Sequence, residues 1–349
     1  MEELSFRLAR LSDFDEIVSL SKGIYKGHDY LPVEFHKWMR MENMAIMLVL
    51  SGKKMIGSRA AYIIDDGKTY IRRAGRVLPE FRKQGISQKL SDALDEYVRF
   101  SFPTVERMRF VSKYNKFSDS LRLKKILQFE VLSYDIDEEE YRESQTWNEE
   151  STEIATCTKD YISNVLFSSR VVELLFPDNI LLYDRVPVEP CSSNFEHIVQ
   201  EFDSLTFCTE KNPASSSPKS FSFGGVAQRV EYVHWTTYIY TRDVSLYEEH
   251  LMFQFKLACK SIKSRFIFVS SVMNESMSAQ GRSLMEEKLN LKVSDNISER
   301  TLNVYELDLV QQNLSEIWEK PSFAMKLSVK KHVAKTPELN NYDNWNSYD

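Results

Sequence analysis

Apolar residues recur along this chain at two spacings, and the switch between them marks out the elements. From residue 86 to 98, Ile86, Leu90, Ala93, Leu94, Tyr97 and Val98 lie three or four apart, which gives a helix one apolar stripe. Phe14, Ile17, Val18 and Leu20 supply the buried side of another helix behind Ser12-Asp13-Phe14-Asp15, a capping pattern that starts a helix running to about residue 21. Residues 33–40 predict a second short helix that turns Phe35, Trp38 and Met39 inward. Residues 45–50 are a continuous apolar run. Ser51-Gly52-Lys53-Lys54 turns that run into residues 55–64, and Asp65-Asp66-Gly67 turns those into residues 70–77. The pattern predicts a three-stranded antiparallel meander, with residues 6–9 as a short edge strand before it. Pro103 ends the long helix. Residues 107–112 then read as a strand, 118–127 as a helix with Leu121, Leu123, Ile126 and Leu127 apolar, and 129–136 as a closing strand.

An acidic, polar run from Asp135 to about Glu150 predicts a linker. Beyond it, helices are predicted over 161–175, 194–205, 245–262 and 278–289, and strands over 180–186, 228–241, 266–272 and 302–309. A polar surface loop lies at 211–218. The second half thus repeats the strand–helix–strand–helix–strand order of the first, as a degenerate duplicate. The expected organisation is one domain at 5–138, a linker at 139–158, a second domain at 159–312 and a disordered tail at 337–349.

The stretch between strand 70–77 and the long helix carries the chemistry. It reads Val77-Leu78-Pro79-Glu80-Phe81-Arg82-Lys83-Gln84-Gly85-Ile86-Ser87. Pro79 stops the strand, and Gly85 lets the backbone turn tightly and approach a ligand. The amides of Gln84, Gly85, Ile86 and Ser87 become unpaired donors at a helix start, where the dipole also favours an anion. Arg82 and Lys83 add two cations, so the loop suits phosphate groups. The matching place in the second half, Thr241-Arg242-Asp243-Val244-Ser245, has no glycine, and Glu248 and Glu249 follow it. Those acids would repel a pyrophosphate, so one phosphate site per chain is expected.

Composition narrows the function classes. The chain has 349 residues, 42% hydrophobic and 28% charged, with net charge −6. That balance argues against nucleic acid or an anionic membrane as main partner, since such binding is cationic. No window approaches the roughly 20 apolar residues of a membrane span, and Met1-Glu2-Glu3-Leu4 lacks a signal-peptide pattern. Four cysteines, Cys157, Cys191, Cys208 and Cys259, sit far apart and read as reduced thiols of a cytoplasmic protein. The six histidines show no ligand spacing, so no metal site is expected.

Val-x-Pro before R-x-x-G-x-Ser, at the end of a strand and the start of a helix, resembles the acetyl-CoA motif of the GNAT N-acetyltransferases. Residues 5–136 follow the element order of that family. The resemblance implies an α+β fold, a mixed twisted sheet with flanking helices, followed by a degenerate second GNAT-like half. It implies acetyl-CoA as co-substrate, held by Val77, Leu78, Arg82, Lys83, Gln84, Gly85, Ile86 and Ser87, with the Val77 N–H facing the acetyl carbonyl. Many family members carry a glutamate in that strand as general base. Here Tyr70, Arg72 and Arg73 hold those places, which leaves His28, Asp29, Glu34 and His36 as candidates. His28, with an ordinary pKa of about 6.5, suits taking a proton from an ammonium. The family's acid tyrosine is replaced by Lys124 in Leu123-Lys124-Lys125-Ile126-Leu127-Gln128-Phe129, a solvated helix face. The thiolate then leaves unprotonated, or Tyr114 donates.

The loop Gly23-Ile24-Tyr25-Lys26-Gly27-His28-Asp29-Tyr30-Leu31-Pro32, with the appended second half, is similar to the vertebrate histidine N-acetyltransferases and their relatives. That similarity is carried mainly by residues 5–100. It implies acetyl transfer to the α-amine of L-histidine, with Tyr25 and Tyr30 walling the pocket and Asp29 pairing with the substrate's cation. Asp29 beside Gly27 equally suits a turn. The expected partner is therefore a small-molecule amine. Acetylation of another amino acid or amine, or a CoA-binding module that has lost catalysis, are the other readings.

Overall fold

Strand-forming runs dominate, and among the described residues one hydrogen-bonded sheet takes up thirteen strands. The computed structural model describes residues 3–115, 123–137, 153–211, 217–295, 297 and 301–309. β1 (Leu4–Leu8) pairs antiparallel with β2 (Met44–Ser51), β2 with β3 (Lys54–Ile64), and β3 with β4 (Thr69–Val77). Gly52 and Gly67 make the tight turns of this meander at φ +58 and +81, a region glycine enters without steric cost. α1 (Phe14–Ser21) and α2 (Leu31–Trp38) cover one face, burying Ile17, Leu20, Leu31, Phe35 and Trp38 with Ile46 and Leu48. α3 (Ile86–Ser101) buries Ile86, Leu90, Leu94 and Val98, the stripe its spacing predicts, and leads into β5 (Arg107–Ser112), which runs parallel to β4.

The second half repeats this plan. β7 (Ile154–Thr156) pairs antiparallel with β10 (Ser204–Glu210), followed by β11 (Ser220–Gln228) and β12 (Val233–Thr241). α4 (Lys159–Tyr161), α5 (Ser169–Leu175) and α6 (Phe195–Glu201) precede that meander in sequence. α7 (Val244–Ser261) then crosses to β13 (Phe266–Val272), parallel to β12. A small separate hairpin, β8 (Leu181–Tyr183) and β9 (Val186–Val188), stands off the sheet.

Each half gives its last strand to the other. β6 (Leu123–Ile136) ends the first half but pairs with β13 of the second, while β15 (Thr301–Asp308) ends the second and pairs with β5 of the first. β6 and β15 also pair with each other, so the sheet runs unbroken from β1 to β7, and β14 (Lys292–Val293) adds a short thirteenth strand beside β6. The halves are therefore not two domains on a linker. Calorimetric melting is expected to give one cooperative transition, because unfolding either half strips a strand from the other. Two resolved transitions would contradict the shared sheet.

Other expectations need correction. The helix predicted over 118–127 is a strand from Leu123 onward, since Leu123, Ile126 and Leu127 fit an extended run beside β15 as well as a helix stripe. The strand predicted over 180–186 is the β8–β9 hairpin, and that over 228–241 is the end of β11 and all of β12. The helix over 194–205 stops at Glu201 and β10 begins at Ser204. Most of the predicted linker and the tail at 337–349 lie outside the described residues. Among the described residues no helix is long and apolar enough to cross a membrane, and no cluster of three or more metal-ligating side chains occurs.

Candidate active site

β4 and β5 start side by side and then part. Their parallel pairing covers only Thr69–Ile71 against Arg107–Arg109. Beyond it, Arg73 faces Ala60 and Arg76 faces Ser58, so β4 uses three residues where β3 uses two. Ala74 takes up the difference at φ +55, a bulge of the kind that bends a strand. The Ala74 N–H donates to the Tyr30 hydroxyl at 3.0 Å, so the amide displaced from the ladder is satisfied. Further on, Leu78 N–H returns to the Ile56 carbonyl at 2.9 Å. Ladder bonds alternate sides along a strand, so Val77 directs its N–H away from β3, into the fork. Its carbonyl points the same way and accepts from Arg82 Nε at 3.0 Å.

The N-terminus of α3 borders this fork. Lys83 at φ +61 and Gly85 at φ +72 turn the chain into the helix, with Gly85 as its N-cap. Glycine brings no side chain to the first amides, which are left for a ligand. The second half differs at the same place. Asp243 caps α7, and its carboxylate accepts the amides of Ser245 and Leu246 at 2.8 and 3.1 Å. A side-chain anion thus occupies the position a phosphate would take. Glu248 and Glu249, the residues sequence alone pointed to, sit a turn further in. The second fork is also shut: β12 and β13 stay paired from His234–Ile267 through Ile239–Val272.

Two spaces open beside the first fork. A groove of about 600 Å³ is lined by Val77, Leu78, Pro79, Arg82 and Ser87. A cavity of about 630 Å³ is walled by both halves, with Tyr25, His28 and Tyr30 from the first and Asp184, Arg229, His234 and Tyr238 from the second. Tyr25, Arg59, Gly75 and Ser87 line both. Groove and cavity therefore meet at the β4 bulge and the start of α3. At this junction Arg59 donates to the Ser87 hydroxyl at 2.9 Å. Burial and the neighbouring Arg72 bring the Arg59 pKa down to about 10, which leaves it charged at neutral pH.

The loop carrying Tyr25 and His28 is set by backbone strain and by the second half. Gly23, Tyr25, Lys26 and Gly27 all hold positive φ, between +50 and +90. A Cβ on Gly27 would stand 2.5 Å from a Glu231 carboxylate oxygen, so only glycine fits. Glu231 and Val230 N–H groups donate to the carbonyls of Gly27 and Asp29 at 3.0 Å each. His28 Nδ1 lies 2.8 Å from His234 Nε2, and its ring stacks on Tyr232 at 4.0 Å. Burial, followed by the Arg229 charge, lowers the pKa of both histidines below the ordinary value, His234 further. Both rings are neutral at pH 7.

The cavity is cationic. Among the described residues seven lysines and arginines line it, against Asp184 as the one lining carboxylate; of the seven, Arg72 is paired with Asp95 and Arg73 with Glu201 behind the wall. Asp184 sits on the two-residue turn between β8 and β9, where it and Arg185 both hold positive φ, +35 and +62. It pairs with Arg229 at 2.6 Å and Arg73 at 3.2 Å, and Arg73 also reaches Glu201 at 3.2 Å. Burial raises Glu201 to about 7 despite Arg73, whereas Arg229 and Arg73 outweigh burial at Asp184 and hold it ionised. A surplus of fixed positive charge in a walled cavity favours a ligand with an anionic group.

Several residues singled out from sequence come together here, and several do not. Val77, Leu78, Arg82 and Ser87 line the groove; Tyr25, His28 and Tyr30 line the cavity. Lys83, Gln84, Gly85 and Ile86 form the turn into α3 but line neither space, and the Ile86 side chain is core. Asp29 is sealed away from substrate. It is 1% exposed and its carboxylate takes both Arg76, at Nε and Nη2, and the Leu31 amide at 3.0 Å. Glu34 pairs with Lys37, and His36 packs on Phe14 with ring centres 4.4 Å apart. Tyr114 is 55% exposed beyond β5 and lines neither space. Lys124 is on strand β6 opposite Glu306, not on a helix. His234, Arg229 and Asp184 were missed, because in sequence each is a single polar residue in a strand or turn with no motif around it.

Comparison with known proteins bears on the fold and the family likeness. A family model described as "Histidine N-acetyltransferase, C-terminal" matches residues 149–273, wholly outside the 5–100 stretch that carried the sequence resemblance. The histidine N-acetyltransferase of Xenopus tropicalis is 30% identical over 131 residues, 38% of this chain and 39% of that protein. The matched stretch thus spans well under half of that relative. A GCN5-related N-acetyltransferase from Sphaerobacter thermophilus superposes with a TM-score of 0.53 at 10% identity, covering 87% of this chain and 95% of the other. N-myristoyltransferase of Saccharomyces cerevisiae with bound myristoyl-CoA superposes at 0.52 and 10% identity, over 88% and 79%. The chain has the fold of the GNAT N-acetyltransferases and resembles histidine N-acetyltransferase.

Proposed function

We propose that this chain moves an acetyl group from acetyl-CoA to the α-amine of a small amino acid, with L-histidine the first candidate. The observation that carries the reading is the junction at Tyr25, Arg59, Gly75 and Ser87, where a groove suited to a CoA thioester meets a cavity suited to an anionic acceptor. The relatives' names point the same way. Acetyl-CoA, when bound, supplies the activated thioester; the rest is the work of the chain. The amides at the start of α3 and Arg82 hold the pyrophosphate. The Val77 N–H stabilises the oxyanion, and a donor so placed lowers such a barrier by about 2.7–4 kcal/mol. His28, neutral at pH 7, removes a proton from the acceptor ammonium. The neutral amine then attacks directly, with no covalent enzyme intermediate. The arginines of the second half, Arg229 foremost, hold the acceptor carboxylate.

The test is turnover on an amino-acid panel that includes histamine, which is histidine without its carboxylate. L-Histidine is expected to drive thiol release, and histamine to lose about 10- to 150-fold in kcat/KM, the value of one charge-assisted hydrogen bond. Equal rates for the two would remove the carboxylate role. CoA binding without release by any amine would leave only the non-catalytic reading.

A further inference from the structure

His28 and His234 come from different halves and meet in the wall of the acceptor cavity. Their facing nitrogens, Nδ1 of His28 and Nε2 of His234, are 2.8 Å apart, so one carries the proton that the other accepts. Two neutral imidazoles joined in this way leave one outer N–H and one outer lone pair, whichever ring donates. Tyr232 lies over the His28 ring at 4.0 Å and 6° from parallel, which fixes its plane. The outer nitrogen, His28 Nε2, is buried with no hydrogen-bond partner among the described residues, in a side chain that is 8% exposed. A histidine kept only for packing would satisfy that nitrogen, because buried polar atoms are nearly always paired. The ring lines the cavity with Tyr25 and Tyr30, beside the bulge where the groove enters.

We propose that His234 is a positioning residue for His28, accepting its Nδ1–H and thereby holding the Nε2 lone pair ready for the acceptor ammonium. The inference rests on the acetyl-transfer reading. The step balances as follows. Nε2 of His28 takes one proton from R–NH₃⁺, and the Nδ1–H bond to His234 becomes charge-assisted. The freed amine lone pair forms the C–N bond, the C–S bond breaks, and the second amine proton goes to the departing thiolate. The imidazolium proton then passes to solvent. The charges facing the pair are Lys26 on its own loop, Arg229 before β12, Arg185 on the β8–β9 turn and Asp135 on β6. These three cations outnumber the two carboxylates, Asp135 and the Asp184 paired with Arg229, and with burial they keep the pair neutral between turnovers. The second half is then part of the catalytic apparatus, not only a wall.

Full-length His234→Ala and His234→Gln are compared with wild type for CoA affinity, kcat, KM for the amine and pH profile. The expected result is unchanged CoA affinity and a kcat for the alanine variant lower by roughly 10²-fold, within the usual range for general-base catalysis. Added imidazole should restore part of it, and the glutamine variant should keep more, since its Oε1 can accept the Nδ1–H. An alanine variant that binds CoA normally and keeps the wild-type kcat and pH profile would overturn the proposal. If both variants fold poorly, nitrogen NMR of histidine-labelled wild type decides. His28 protonated at Nδ1 and bare at Nε2 near pH 7 is expected; the reverse tautomer overturns it. Wild type that releases no thiol with any amine overturns the parent reading as well, and is told apart because no variant is involved.

Discussion

Gly85→Asp is expected to weaken CoA binding by more than about 100-fold, which at 1.4 kcal/mol per decade is near 3 kcal/mol. Nothing stands within 4 Å of a Cβ built on Gly85, so the effect is not a clash. Backbone strain is a separate cost: at φ +72 any residue with a Cβ costs about 1–2 kcal/mol relative to glycine, but this is present with and without CoA and falls mainly on stability. The loss of affinity comes from charge. Gly85 is the N-cap of α3, as Asp243 is of α7, and Asp243 already shows what a carboxylate does there. It binds two helix amides itself, at 2.8 and 3.1 Å, and presents an anion to any phosphate that approaches. The substitution therefore places at the start of α3 an anion like the one that stands at the start of α7. Gly85→Ala separates the two contributions, since it carries the strain without the charge and should lose less than about tenfold. Equilibrium titration of the folded variants with CoA checks both. Wild-type affinity in the aspartate variant would refute the loop assignment.

Arg76→Ala is expected to destabilise the fold by about 3–5 kcal/mol, because it leaves the Asp29 carboxylate buried and unpaired. Both side chains of this pair are 1% exposed. Arg76 holds the carboxylate through two nitrogens, one of them Nε at 3.0 Å, a fork that lysine cannot reproduce. Asp29 in turn fixes Leu31 N–H at the start of α2 and, through its own carbonyl, Val230 of the second half. The cost should fall when Asp29→Asn is combined with it, since no charge is then stranded. Urea denaturation of the single and double variants measures this. A single variant within about 1 kcal/mol of wild type would show that water reaches the pair.

The legible part of the sequence was the part whose chemistry is local. Gly85 after Arg82 and Lys83, the two glycine turns and the apolar stripe of α3 each act within a few residues, so the basic loop and its helix could be placed without coordinates. The α3 stripe is indeed what the core takes up. Asp29 was ambiguous for a physical reason: a carboxylate beside Gly27 can face substrate or cap its own turn, and only Arg76, 47 residues on, settles that it is buried. The β8–β9 hairpin was missed because its turn, Asp184-Arg185, adopts positive φ without a glycine or asparagine to announce it. The exchange of β6 and β15 could not be read at all. Both are strands of mixed apolar and polar residues that suit either half, and which neighbour each takes is decided by the assembled sheet. The same holds for His28 and His234, 206 residues apart.

The central claim is that only one of the two forks is open, so the chain holds a single acetyl donor and uses its second half to complete the acceptor cavity. Calorimetric titration of the full chain with CoA tests this most directly. The predicted result is saturation at one CoA per chain; saturation at two would contradict it by showing that the Asp243-capped half also binds.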